Sequence, residues 1–273
     1  MAITSSGAIT LANIQSEFGG QNPISLGAYY RDPDGVVSGN NTDVPAGGNS
    51  GPLSIGDFYS ATFKAYVTYN VIGGGGGGGC GSGSGPNTSG EVGVTGGSST
   101  LTGSGFSNVT ATGGAGGASG VNSYGWSGAT TNADGDDSPL GGGGGDRGHV
   151  RHVANGGKKG YPGTVAGAGG GGGCGNQTSG RHAEGGDAGN QTTGSQYMAP
   201  ATLTLTAGAG GGGYDIDGGG NGSRSGGDGD HGYVNVTVRA PNANGTWNNS
   251  KQSATQNASG SSTLAVADTA YTG

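Results

Sequence analysis

The side chains able to do chemistry are few, and most lie between glycine runs. They are Tyr124 and Trp126; Asp134, Asp136 and Asp137; His149, Arg151, His152, Lys158, Lys159 and Tyr161; Arg181 and His182; Tyr197 and Met198; and Tyr214, Asp215, Ile216 and Asp217. Aromatic rings and guanidinium groups on short exposed segments supply recognition, because they offer rigid contact area and directional donors. The ordinary use of any one such ring is packing, as a cover over glycine-rich chain. Taken as a set, with Arg and His among them, they read as a binding surface carried on loops.

Catalytic patterns are missing. Gly141–Gly145 runs into Asp146-Arg147 and lacks the Gly-Lys-Ser/Thr ending of a phosphate-binding loop. Gly81-Ser82-Gly83-Ser84-Gly85 has no strand–turn–helix context for a nucleophile. Gly226-Gly227-Asp228-Gly229-Asp230-His231 resembles a calcium-binding nonapeptide, but His231 stands where an aspartate belongs. Asp134-Gly135-Asp136-Asp137 lacks the spaced ligands and closing Glu of an EF-hand loop. Both acidic stretches read as solvated turns, so neither a metal nor a cofactor is expected, and the chain reads as a non-enzyme. Cys80 and Cys174 each follow a glycine run and precede Gly; they read as free thiols, with a disulfide between equivalent positions on neighbouring passes as the alternative.

The elements that position these residues are constrained by composition. Of 273 residues 72 are Gly, and only 10% are charged. Leu, Ile, Val and Phe number 35, too few for an ordinary side-chain core of this size. The net charge of −7 is too small to complete the signature of disorder. An acidic pI of about 4.8 argues against nucleic acid, which needs clustered Lys and Arg. No apolar run approaches the length of a membrane span, and residues 1–18 lack the basic start and apolar stretch of a signal peptide.

Three regions follow. Residues 1–62 hold a repeat: Ile24-Ser25-Leu26-Gly27-Ala28-Tyr29-Tyr30 matches Leu53-Ser54-Ile55-Gly56-Asp57-Phe58-Tyr59, and Ile9-Thr10-Leu11-Ala12-Asn13-Ile14 is a looser copy. The Ser or Thr predicts the cap of a short helical turn, and the looser copy predicts a helix over 11–18 closed by Gly19. The repeat reads as a small packing unit that also serves as an attachment module, with Leu26, Tyr29, Tyr30, Ile55, Phe58 and Tyr59 as its candidate docking residues. Residues 63–240 form a glycine-rich body holding 59 glycines between Gly73 and Gly232. Strand-like segments frame it: 63–72, 202–206 and 233–238. Residues 241–273 read as a polar tail.

Glycine runs at 73–79, 113–117, 141–145, 169–173, 210–213 and 218–220 return at intervals suited to repeated passes of the chain. A polyglycine segment can adopt a threefold left-handed helix with no internal hydrogen bonds. Its N–H and C=O groups then need lateral partners when buried, which helices without Cβ atoms can give one another. The expected fold is therefore mostly irregular and all-β. It has a small N-terminal attachment module and a body of packed polyglycine-II helices framed by β-strands, with exposed loops.

Tyr69-Asn70-Val71-Ile72 leading into Gly73–Gly79, the Ala-Gly-Gly-type runs, and Gly229-Asp230-His231-Gly232-Tyr233-Val234 resemble the distal tail-fibre adhesins of T-even-like phages. The repeat in residues 1–62 is similar to short modules in tail proteins of marine phages. It departs from the attachment domain of the best-known adhesins. The resemblance implies a virion protein of the tail fibre or a related appendage, assembled in the host cytoplasm. It implies loops that contact a bacterial outer-membrane protein or surface glycan. Partners would be other tail or fibre proteins, with the chain a homotrimer or a monomeric tip on a trimeric fibre. A purely structural virion component is the alternative. An ice-binding protein would need a regularly spaced Thr face, which irregular loops do not offer.

Overall fold

The computed structural model describes residues 3–18, 25–30, 44, 52–62, 64–79, 91–118, 135–141, 144, 162–170, 185–213, 226–241 and 247–266. Most regular structure is β. Strands β1 (Ala65–Ile72), β2 (Ser99–Gly103), β3 (Phe106–Ala111), β4 (Gln191–Met198), β5 (Thr202–Ala207), β6 (Tyr233–Pro241), β7 (Trp247–Gln256) and β8 (Gly260–Ala265) form two antiparallel sheets. Their orders are β4-β1-β6-β7 and β3-β2-β5-β8. The expected frame at 63–72, 202–206 and 233–238 corresponds to β1, β5 and β6. Of residues 241–273, read as a polar tail, the described ones include two strands of the sheets, since β7 pairs with β6 and β8 with β5. Their inward positions include Ala254, Gln256 and Ser262, so the apolar alternation that marks a strand is absent from them.

The two sheets share one core. Val67, Val71, Val234 and Val236 from the first sheet and Leu101, Leu203 and Leu205 from the second are fully buried. Tyr69 meets Phe106 edge-on across the layers. At one side the Gln196 amide on β4 bonds both the N–H and the carbonyl of Ser107 on β3, so a side chain bridges two edge strands. Gly105, at a φ of 68°, makes the tight β2–β3 turn that a residue with a Cβ adopts poorly.

The glycine segments prolong these strands. β1, β3 and β5 run on into 73–79, 112–118 and 208–213, while 91–98, 185–190 and 226–232 lead into β2, β4 and β6. Segment 73–79 is buried throughout and lies at the centre. Its N–H groups address three neighbours in rotation. Gly73 and Gly76 donate to Asn190 and Asp187, Gly74 and Gly77 to Gly97 and Val94, and Gly75 and Gly78 to Asp230 and Gly227. Its carbonyls accept from three more: from Gly114 and Gly117, from Gly211, and from Gly170. The six neighbours also bond to one another in a closed ring, in the order 91–97, 112–117, 185–190, 167–170, 226–232, 208–213. Lateral N···O distances are 2.7–3.0 Å. The register makes successive ring segments antiparallel. It also sets the centre antiparallel to the segments it donates to and parallel to those that donate to it.

Missing Cβ atoms are what allow this packing. Side chains hold stacked sheets about 10 Å apart; here the layers close to hydrogen-bonding distance. A Cβ on Gly75, Gly76 or Gly77 would overlap the carbonyl oxygen of Ala168, Ala115 or Gly212. In the ring the requirement differs between segments. In 112–117 and 208–213 a Cβ at two of every three residues would strike a neighbouring carbonyl, as at Gly113, Gly114 and Gly116. In 91–97, 185–190 and 226–232 the central carbonyls are met at every third residue. Gly93 and Gly96, Gly186 and Gly189, and Gly226 and Gly229 each face a central carbonyl that a Cβ would strike. The outward positions between them carry side chains such as Val94, Thr95, Asp187 and Asp228.

The repeated N-terminal motif forms helical turns in all three copies: α1 (Leu11–Phe18) and two 3-10 turns, Leu26–Tyr29 and Ile55–Phe58. The Asn13 side chain accepts from Thr10 N–H at 2.9 Å, and the Asp57 carboxylate accepts from Ser54 N–H at 2.7 Å. Both interactions satisfy backbone groups at the start of the turn. Phe58 packs edge-on against both Phe18 and Tyr29. Gly19 lies outside the described residues.

Candidate functional site

The bundle has two ends. One is joined to the sheets. At the other, the described chain stops or resumes at residues 79, 91, 118, 135, 170, 185, 213 and 226. Cross-bundle proximity puts these positions together: Gly79 faces Ala118, Gly213 faces Gly226, Gly170 faces Gly227, and Gly135 faces Gly169 and Gly170. The stretches between are therefore all anchored at one end of a stiff bundle.

Carboxylates finish that end. The Asp228 Oδ1 accepts the N–H of Gly213 at 2.7 Å, and the Asp137 Oδ1 accepts that of Gly144 at 3.0 Å. Asp136 joins the bundle through its backbone, donating to Gly186 and accepting from Gly169. These residues satisfy main-chain groups that would otherwise lack partners. The stretch 226–232, read from sequence as a solvated turn, is instead a ring segment. His231 Nδ1 lies 2.6 Å from Asp230 Oδ1, and its Nε2 is 3.3 Å from Asn257 Oδ1. Among the described residues no group of three or more His, Cys, Asp or Glu is arranged to hold a metal.

Of the expected recognition residues, Tyr124, Trp126, His149, Arg151, His152, Tyr161, Arg181, His182 and Tyr214 lie outside the described residues, as do Cys80 and Cys174. Tyr197 is not on a loop. It lies on β4 directly opposite Tyr66, with ring centroids 5.0 Å apart, and Arg239 of β6 sits 5.9 Å from the Tyr66 ring. Tyr66 donates to Ser195 Oγ at 2.7 Å. This row belongs to the outer face of the first sheet, away from the bundle end. Met198 is buried at the end of β4.

The expected attachment residues divide. Tyr29 and Phe58 are buried within the aromatic cluster. Burial also holds the Tyr29 phenol above its ordinary pKa. Leu26 packs against the core, and the Tyr30 hydroxyl accepts from Leu53 N–H at 3.3 Å. Ile55 and Tyr59 remain exposed, each at 38%, and the Tyr59 hydroxyl donates to the Gly7 carbonyl at 2.5 Å.

Sequence reasoning looked for unbroken glycine runs and so missed ring segments 91–97, 185–190 and 226–232. Their signal is glycine at i and i+3 immediately before a strand. Conversely, the run at 141–145 is not a ring segment where described: Gly141 turns at a φ of 94° and Gly144 packs on Gly135. No family model, curated protein or solved structure matches the chain.

Proposed function

We propose that this chain is a receptor-binding adhesin of the phage tail-fibre type, built on a body of packed polyglycine-II helices. The threefold rotation of hydrogen-bond partners along 73–79 supports the helix assignment, because a polyglycine-II helix has three residues per turn and bonds only laterally. One observation carries the functional reading: the stretches 119–134, 171–184 and 214–225 begin and end at the same end of the bundle. Those stretches contain Tyr124, Trp126, Arg181, His182 and Tyr214. A support whose end is where several stretches bearing aromatic and basic residues leave and rejoin it is suited to gripping a bacterial surface protein or glycan. Attachment to a fibre falls to the opposite, N-terminal side, where Ile55 and Tyr59 are the exposed members of the repeat.

The test is competition. Purified chain is expected to block adsorption of the parent phage to its host, and Trp126→Ala combined with Arg181→Ala is expected to abolish the block while leaving the fold intact. A correctly folded chain that never competes, yet is present in the particle, would instead identify a purely structural virion component.

A further inference from the structure

The two flanks of the bundle differ in what lies outside them. The ring divides into consecutive halves: 185–190, 167–170 and 226–232 on one side, and 112–117, 91–97 and 208–213 on the other. On the first side further chain is seated in the grooves between ring segments. Asp136 lies between 185–190 and 167–170. Its N–H donates to the Gly186 carbonyl at 3.1 Å, and its carbonyl accepts from Gly169 at 3.0 Å. Gly163 lies between 167–170 and 226–232, donating to the Asp228 carbonyl at 2.8 Å and standing against Ala168. Both grooves are filled at close quarters, since a Cβ on Gly135 or Gly163 would overlap the carbonyl of Gly169 or Ala168.

The second flank has two grooves of the same kind, one on either side of 91–97, and among the described residues no chain occupies them. Val92 and Val94 are each 57% exposed, more than any other large apolar side chain described. They stand beside segments that carry little side chain, with Ala115 and Ala118 exposed on one side and Ala209 and Gly212 on the other. A Cβ on Gly212 would meet nothing within 4 Å, so space remains in that groove. The N–H groups of Val92, Thr95, Ala209 and Gly212 find no acceptor among the described residues.

Charge follows the same division. The covered flank carries Asp136, Asp137, Asp187 and Asp228, all exposed. The exposed residues of the open flank are Val, Ala, Thr, Ser and Gly, apart from Glu91 at the free end. Copies of a chain with a net charge of −7 repel one another. The open flank is a place where two can meet without opposing carboxylates.

We infer that the open flank is a self-association surface, and that its occupant is the same flank of a second copy of this chain. A twofold axis seats 91–97 of each copy in the groove between 91–97 and 208–213 of the other. That groove corresponds to the ones Asp136 and Gly163 fill on the covered side. The covered side shows what such a groove accepts, which is glycine-rich chain bonded through its backbone. The valines of each copy then pack over the small residues of the other. A flank that offers both ridge and groove is self-complementary, as twofold pairing requires. An unfilled groove with unpaired donors is to this bundle what an exposed edge strand is to a sheet. The surface runs along the side of the bundle, away from its end and from the N-terminal turns, so its failure would leave the adhesin reading untouched.

The experiment is analytical ultracentrifugation of the purified full-length chain over a broad range of concentration. A reversible dimer is expected, since a contact this narrow falls at the small end of specific interfaces. Val94→Asp and Gly212→Asp each place an unpaired charge in the contact and are expected to weaken the dimer by about tenfold or more. Both positions are exposed in the single chain, so circular dichroism and the urea midpoint should match the wild type. Ser253→Asp, exposed on β7, adds the same charge elsewhere and is expected to leave association unchanged. Wild-type chain that stays monomeric throughout overturns the inference and leaves the flank to a different partner. A trimer overturns it too, as does a dimer that Val94→Asp and Gly212→Asp weaken no more than Ser253→Asp does.

Discussion

The sandwich and the glycine bundle are consecutive stretches of the same chain passes, yet they cohere by opposite means. In the sandwich, Val67 and Leu205 fill the gap between layers and the backbone bonds only within each sheet. In the bundle nothing fills the gap. The layers meet, and each central residue bonds outward in a direction a third of a turn from the last. The lesson is that removing side chains from stacked strands does not simply weaken them. It opens a second solution, in which main-chain bonding in two dimensions replaces apolar burial. Glycine's larger loss of chain entropy, about 0.5–1 kcal/mol per residue against alanine, opposes that solution. Each well-made lateral bond contributes a net ~0.5–1.5 kcal/mol in its favour.

The contrast can be broken most severely at the centre. Gly76→Ala places a methyl on the Ala115 carbonyl, with no flexible side chain able to yield. A loss on the order of 4 kcal/mol or more is expected, seen as a collapse of the urea midpoint and of amide protection from Gly74 to Gly78. Retention of wild-type stability would mean that the bundle is not close-packed.

In the sandwich the largest damage comes from making a cavity. Leu205→Ala removes a fully buried side chain and is expected to destabilise by about 2–5 kcal/mol. Comparing the two variants by hydrogen exchange sharpens the distinction. Gly76→Ala should deprotect the bundle first, and Leu205→Ala the strands.

A smaller effect is expected in the N-terminal cluster. Because burial raises the Tyr29 pKa, the folded state holds the phenol neutral. That contribution is complete below the unfolded tyrosine value, about 10, and is lost as pH rises through the folded value. Thermal unfolding should therefore show a drop in alkali that Tyr29→Phe reduces. The smallest effect belongs to Gly212→Ala. A Cβ there meets nothing within 4 Å, so stability should stay within about 0.5 kcal/mol of wild type.

Much was legible beforehand, and the reason lies in how locally each feature is specified. The helix over 11–18 and the repeated turns follow from neighbouring residues. So do β1, β5 and β6, where apolar and polar residues alternate. β7 and β8 were illegible because their inward residues, such as Gln256 and Ser262, are not apolar. β4 was missed because Gln191-Thr192-Thr193-Gly194-Ser195-Gln196 is polar on both faces, which placed Tyr197 on a loop. Among the aromatic and basic recognition residues only Tyr197 lies within the described residues.

By itself, then, the sequence determined that a conventional core was out of reach, that main-chain bonding had to substitute for it, and where the glycine-rich chain meets its strands. Only the tertiary structure decided which segment sits at the centre, which six surround it, and which ring segments need glycine at every third position and which at two of every three. The physical reason is that a residue without a side chain carries no record of its partner. Any glycine can bond any other, and the choice is made by the strands that deliver each segment to its place.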